Sequence, residues 1–205
     1  MKDVNELMEY EREYLSKGYK LIAGVDEVGR GPLAGPVATA CVIMDLENLV
    51  AGVDDSKKLS EKKREQLYGE IINHAISYKI SFRSAEDIDK YNILEATKMC
   101  MSDSVNGLEI KPDVVFVDAL KLEAVDIEQC SIIKGDAKSY SIACASILAK
   151  VARDRLMVEL DDVYSGYNFK KHKGYGTKEH IENLKSLGPC AIHRRTFIKN
   201  FIEEN

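Results

Sequence analysis

The chain has 205 residues, 45% of them apolar and 31% charged, with a formal net charge of -5. That is enough apolar material for one buried core, and it excludes the disordered, collagenous and membrane classes. An acidic balance gives no overall attraction to a polyanion, so any nucleic-acid contact has to come from local basic patches.

The amino-terminal segment interleaves acids and bases where a signal peptide carries an apolar core. Apolar runs such as 40–44 and 142–149 are too short to cross a bilayer. One domain over 1–205 is expected, soluble and cytosolic, with 1–18 as an amino-terminal helix and about 177–205 as a helical carboxy-terminal part. Cys41, Cys100, Cys130, Cys144 and Cys190 form no CxxC pair and sit mostly among apolar residues, which suits small buried hydrophobes in a reducing compartment.

Leu7, Tyr10, Tyr14 and Leu15 recur at helical spacing, which predicts an amphipathic helix over 4–17 closed by Gly18. Residues 19–25 alternate toward a strand, 29–35 must turn because of three glycines and Pro32, and 36–44 form a second strand rich in Val, Ala and Ile. Ser60 can cap a charged helix over 61–74, and 77–84 alternates as a third strand. The stretch 85–108 reads as a short and a longer helix broken near Asn92. Residues 113–117 suggest a strand buried on both faces, with 130–133 a shorter second example. From about 137 to 163 the pattern is helical, and Ala145, Ala149 and Ala152 would let a neighbour approach closely. After a loop rich in Gly, Tyr, Lys and His, Thr177 can cap a helix to Leu187 that Gly188 and Pro189 stop. Early strands followed by strands alternating with helices imply a mixed sheet flanked by helices.

Four acids stand where strands end or helices begin, in apolar or glycine-rich settings: Asp26 and Glu27 in AGVDEVGRG, Asp118 in VVFVDAL, and Asp136 in IIKGDAKS. An acid at the end of an apolar strand is costly unless it meets solvent or a cation, and strand ends of one sheet converge. Oxygen ligands without His or Cys point to Mg2+ or Mn2+ and away from zinc. Taken singly, each acid is more often a turn former or a cap than a ligand, and Asp136 could simply cap the helix that follows. Asp26 and Glu27 are strand neighbours and leave opposite faces, so they share an ion only if the strand bends or one contributes through its backbone.

Gly29, Arg30 and Gly31 allow a close backbone approach to a ligand, or simply a tight turn. DSKKL at 55–59 sets Ser56 and two lysines, Lys57 and Lys58, ahead of a helix, suited to phosphate oxygens or to plain solvation. KKHKGYG at 170–176 offers Lys173 and Tyr175, a cation and a ring that can hold a backbone and stack on a sugar or base, unless the loop is only a mobile surface segment. His172 and His193 lack ligand partners at metal spacing and read as polar contacts. Lys150 and Asp154, four apart on a helix, are most simply a salt bridge.

Taken together, VDEVGRGPLAGPV, DDSKKLSEKKR, YNILEATKMCM, VVFVDAL, IIKGDAKSYSIACASILAKVARDR, HKGYGTKEH and HRRTF resemble the bacterial ribonuclease HII family in order, spacing and wording, over about residues 20–200. The resemblance implies an α/β ribonuclease H-like fold, with a central mixed five-stranded sheet flanked by helices and a helical carboxy-terminal part. It implies that Asp26, Glu27, Asp118 and Asp136 are the catalytic acids that hold divalent ions, Mn2+ or Mg2+. Gly29, Arg30 and Gly31 resemble the segment that reads the ribonucleotide 2′-hydroxyl, and Tyr175 the tyrosine that packs on the next deoxy sugar. Ser56 and Lys57 are similar to the phosphate-contacting pair, with Ser146 and Lys150 as helpers, and Lys173 of the KKHKGYG patch is counted with the substrate-binding residues. VDAL differs from the VDG of many members and keeps the acid.

The implied activity is a monomeric endoribonuclease acting on RNA·DNA hybrids and on single ribonucleotides embedded in DNA, leaving 5′-phosphate and 3′-hydroxyl ends. Two hard cations roughly 4 Å apart suit such an in-line displacement with no protein nucleophile. A different nuclease on the same fold would lack the GRG, KGDAKS and HKGYG set, and a non-catalytic hybrid-binding module would lack one of the acids.

Overall fold

The computed structural model describes residues 4–202, so the outermost parts of both expected terminal segments, 1–3 and 203–205, lie outside it. Five strands form one sheet: β1 (Ile22–Val28), β2 (Val37–Met44), β3 (Ala75–Arg83), β4 (Val114–Asp118) and β5 (Glu128–Ile132). Their order is β3-β2-β1-β4-β5. The first three pair antiparallel, whereas β4 joins β1, and β5 joins β4, in parallel. The helices are α1 (Glu9–Ser16), α2 (Glu61–His74), α3 (Ala85–Asn106), α4 (Tyr140–Val163), α5 (Phe169–His172), α6 (Lys178–Leu187) and α7 (Arg195–Ile198). This is the mixed α/β architecture that the sequence implies.

Both faces of the sheet are covered at its centre, which is why β2 is buried along its whole length, whereas the edge strands β3 and β5 keep exposed positions. Ala40, Val42 and Met44 pack against α4 and α2, and Ala23, Val25, Cys41 and Ile43 pack against Met101 and Val105 of α3. Helix starts follow side-chain caps: Ser60, Ser84, Ser139 and Thr177 each accept a backbone N–H three residues on. Asn92 breaks α3 with φ 64°, and its carboxamide oxygen accepts from Leu94 and Glu95, so the same residue ends one helical piece and caps the next.

The 130–133 segment, expected to be buried on both faces like 113–117, lies at the edge strand β5, where Ile132 is buried but Ser131 and Ile133 are exposed. Three further details depart from the sequence reading. The expected helix over 4–17 is a 3-10 turn (Val4–Leu7) followed by α1, and Leu15 faces outward at 39% exposure. What anchors α1 is Tyr10 and Tyr14, edge-on to Phe116 of β4, and the buried Glu11. Its Oε1 accepts from Ser139 Oγ at 2.6 Å and from the Ser141 N–H at 2.9 Å, at the amino end of α4. Second, Ala145 and Ala149 are buried as expected, but Ala152 is only half-buried and the tightest approach lies elsewhere. A Cβ on Gly24 of β1 would sit 2.1 Å from the Ser141 carbonyl carbon, so α4 can cross β1 at that distance only over glycine. Third, the loop and tail contain short helices, α5 and α7, whose four residues each are too few to show a period.

Candidate active site

The carboxyl ends of β1 and β4 lie side by side because the two strands run parallel, bringing Asp26, Glu27 and Asp118 to one end of the sheet at its centre. Asp136 reaches them from a 3-10 turn (Gly135–Ala137) that leads into α4. The pairing of β1 with β2 runs without a shift from Ala23 to Val28, so the strand does not bulge at the two acids. Asp26 follows Ile22 and Gly24 toward α4, whereas Glu27 leaves the other face.

Electrostatically the four acids form one group. Burial pushes the Asp26 carboxyl well above the ordinary carboxylate range; the charges of Glu27 and Asp118 add to this, and the Ser146 hydroxyl opposes it. Asp26 is 4% exposed. Glu27 is raised by burial, against the opposing charge of Arg30, whose Nη1 lies 3.5 Å from Oε1. Its Oε2 is buried with no hydrogen-bond partner. Asp118 is raised by burial and by Asp136, while the Gly135 N–H donates to its Oδ1 at 2.8 Å and opposes the shift. Asp136 meets Lys57 Nζ at 3.1 Å. Burial works against the Lys57 charge, but the bond to Asp136 and the surrounding carboxylates outweigh it and hold its pKa above the usual lysine value.

The donor set suits hard divalent cations. It offers only carboxylate oxygens, one of them buried and orphaned, and among the described residues their mutual repulsion is met in direct ion pairs by Lys57 and Arg30. Among the described residues no three such groups close on one point as they stand, since Lys57 holds Asp136 and Gly135 holds Asp118.

Ser56 and Ser146, both buried, join the turn before α2 to the middle of α4 through hydroxyls 2.9 Å apart. The DSKKL segment is shaped by Asp55, whose carboxylate accepts from the Lys57 N–H. Across the site, the Leu33 and Ala34 amides donate to the Gly174 carbonyl, which docks the GRG turn against the KKHKGYG loop. Arg30 and Gly31 are exposed at the tip of that turn. Gly29 has φ +91°, and a Cβ there would lie 2.2 Å from Arg153 Nε, so conformation and space both require glycine.

Tyr175 is 40% exposed, with Lys150 Nζ 6.0 Å and the Arg153 guanidinium 5.9 Å from its ring centre. Its carbonyl is held by His180 Nδ1 at 2.9 Å, and His180 Nε2 meets His193 Nε2 at 3.1 Å. His193 Nδ1 accepts the Cys190 N–H, and His172 accepts from Gly174 while its Nε2 donates to the Tyr167 carbonyl. Burial and the neighbouring His180 push His193 down to about 4, and burial lowers His180, so both of these rings serve as neutral polar contacts. Lys150 makes the expected salt bridge to Asp154 at 2.8 Å and also flanks Tyr175. Lys173 has φ 53°, and its Nζ donates to the Lys170 carbonyl.

Two residues behind the site were not singled out by sequence reasoning. Arg153 and Arg194 are fully buried, and their partners lie 20 to 165 positions away, so no local pattern marks them. Ala119, directly after Asp118, adopts φ 53°, which explains why a glycine suits that place.

Comparison with known proteins agrees with this geometry. The family model for ribonuclease HII matches residues 23–200. A ribonuclease HII from Caldicellulosiruptor bescii is 54% identical over 95% of this chain and 94% of its own length, and one from Acetivibrio thermocellus is 53% identical over 98% and 80%. The crystal structure of the ribonuclease H2 from Pyrococcus horikoshii superposes with a TM-score of 0.75 at 28% identity, covering 90% of this chain and all of that one. With the matched fold and the acids gathered at one end of the sheet, the chain belongs to the ribonuclease HII family, hydrolases that cut RNA in RNA·DNA hybrids.

Proposed function

We propose that this chain, acting as a single catalytic domain, incises RNA within hybrids and also at single ribonucleotides embedded in DNA, leaving 5′-phosphate and 3′-hydroxyl ends. The observation that carries the reading is the buried carboxylate group of Asp26, Glu27, Asp118 and Asp136, in which three acids are driven toward protonation by burial and by one another. These four would hold Mn2+ or Mg2+, which when bound activate water and stabilise charge on the phosphate and leaving oxygen. Ser56, Lys57 and Ser146 line the approach, where hydroxyls and an ammonium suit phosphate oxygens. Gly29, Arg30 and Gly31 present backbone to a ribose 2′-hydroxyl, which separates RNA from DNA without sequence preference. Tyr175, flanked by Lys150 and with Lys173 in the same loop, offers an exposed ring to the following deoxyribose. The free cysteines support a reducing compartment.

The test is cleavage of a DNA duplex with one embedded ribonucleotide beside an all-RNA hybrid strand, each with magnesium or manganese and end groups identified. Cleavage of the hybrid alone, or products with 3′-phosphate, would overturn the reading.

A further inference from the structure

Behind the GRG turn lie two guanidiniums whose hydrogen bonds all go to main-chain carbonyls. Arg194 donates through Nη2 to Gly29 at 2.5 Å, through Nη1 to Arg30 at 2.9 Å and through Nε to Gly35 at 3.0 Å. Arg153 donates to Pro36 at 2.8 Å, to Ala34 at 3.2 Å and to Lys173 at 3.0 Å, tying this turn to the loop that carries Tyr175. Burial, and then the charge of Arg153, pushes Arg194 down to about 9. A buried cation without a counter-ion is costly, so its place here points to a role beyond packing.

The direction of the bonds supplies that role. A trans peptide carries its C=O and its N–H on opposite sides, and no cis bond occurs among the described residues. With the Gly29 and Arg30 carbonyls turned inward onto Arg194, the N–H groups of the same two peptides face outward. Those amides belong to Arg30 and Gly31, both exposed, and among the described residues neither donates to a backbone carbonyl.

We propose that Arg194 is a positioning residue for ribose recognition, fixing the outward direction of the Arg30 and Gly31 amides so that they meet a 2′-hydroxyl. The proposal rests on the reading of GRG as the ribose-facing segment. Arg194 touches no reacting atom. Its planar fork matters more than its charge, because three carbonyls are held by three separate nitrogens in a fixed plane, a spread that the single nitrogen of a lysine does not reproduce.

Ribose preference can be read as the ratio of the inhibition constant of an all-DNA duplex to the KM of the same duplex carrying one ribonucleotide. Arg194→Lys is expected to keep DNA affinity within about twofold and lower that preference about tenfold or more, the effect of removing one polar recognition. Two controls separate this proposal from the reading beneath it. Gly31→Pro removes the amide itself, while Gly31→Ala keeps it, and a Cβ there meets nothing within 4 Å. Preference lost in Gly31→Pro but kept in Arg194→Lys would overturn the role of Arg194 alone. Preference kept in a folded Gly31→Pro would overturn both. Should Arg194→Lys fail to fold, hydrogen exchange on the unaltered protein decides. The Arg30 and Gly31 amides should exchange fast when free and be protected by the ribonucleotide-containing duplex but not by all-DNA; slow exchange in the free protein would overturn the proposal.

Discussion

Lys57 Nζ lies 3.1 Å from Asp136 Oδ2, so a lysine proposed to meet phosphate is, in the free protein, the counter-ion of one of the four acids. The lysine side chain is 79% exposed, which makes the pairing easy to exchange. On the proposed reading, divalent ions at the acids and phosphate at the lysine would compete with this pairing. Substituting Lys57 and Lys173 together with alanine is expected to lower the slope of log affinity against log salt by about 2, one counterion for each phosphate no longer neutralised. An unchanged slope would mean that both lysines are only solvated surface. Lys57→Ala alone should also tighten binding of magnesium to Asp136, measurable by calorimetry without substrate.

Asp118→Asn should leave the fold intact, because an amide oxygen can still accept the Gly135 N–H. Activity is expected to fall about a thousand-fold, near 4 kcal/mol of transition-state stabilisation. The metal-free variant should melt higher than the parent, since one of several repelling carboxylates is gone. The pH dependence follows from the sign of the shifts. Burial and like charges hold Asp118 above its ordinary value, so the folded parent takes up protons before the unfolded chain does and gains stability as pH falls toward the usual carboxylate range. The melting difference between variant and parent should be widest at neutral pH and shrink on acidification. A constant difference, or cleavage at the parent rate, would remove Asp118 from the ligand set.

Tyr175 is expected to govern substrate choice. Its ring is exposed while its backbone is pinned by His180 and His172, so removing the ring takes little from the core. Tyr175→Ala should lower cleavage of a lone ribonucleotide in DNA about tenfold or more, the scale of one stacking interaction, and lower cleavage of a continuous RNA strand much less. Equal losses on both substrates would exclude the discriminating role.

Ala119 carries a left-handed backbone that costs an L-residue about 1 kcal/mol or more. Ala119→Gly should therefore stabilise the protein by about 0.5–1 kcal/mol, after allowing for the extra freedom of glycine in the unfolded chain. Denaturant unfolding checks this, and a loss of stability would show that the methyl group contributes packing that outweighs the strain.

Much of the fold was legible because its signals are local. Ser60 and Thr177 announce their helices one residue ahead, and Asn92 breaks α3 with its own side chain. The four acids stand out because each interrupts an apolar or glycine-rich run. What stayed hidden depends on distant partners. Arg194 looks like surface charge between His193 and Arg195, yet its bonds reach back 159 to 165 positions. Gly24 is one small residue in a strand until α4 is laid across it, and the Glu11 carboxylate that anchors α1 finds its partners, Ser139 and Ser141, 128 and 130 residues away.

The parallel seam between β1 and β4 also orders events in time. The antiparallel pairing of β1 with β2 closes over a short turn, whereas the seam to β4 waits for bonds such as that from the Leu21 amide to the Asp113 carboxylate, 92 positions apart. Closing so long a loop is entropically slow, so hairpin amides should gain protection first in a refolding pulse. On that order Asp26 and Glu27 would be set in place before Asp118 and Asp136 arrive, and the repulsion among the four acids would be met only as the seam to β4 closes.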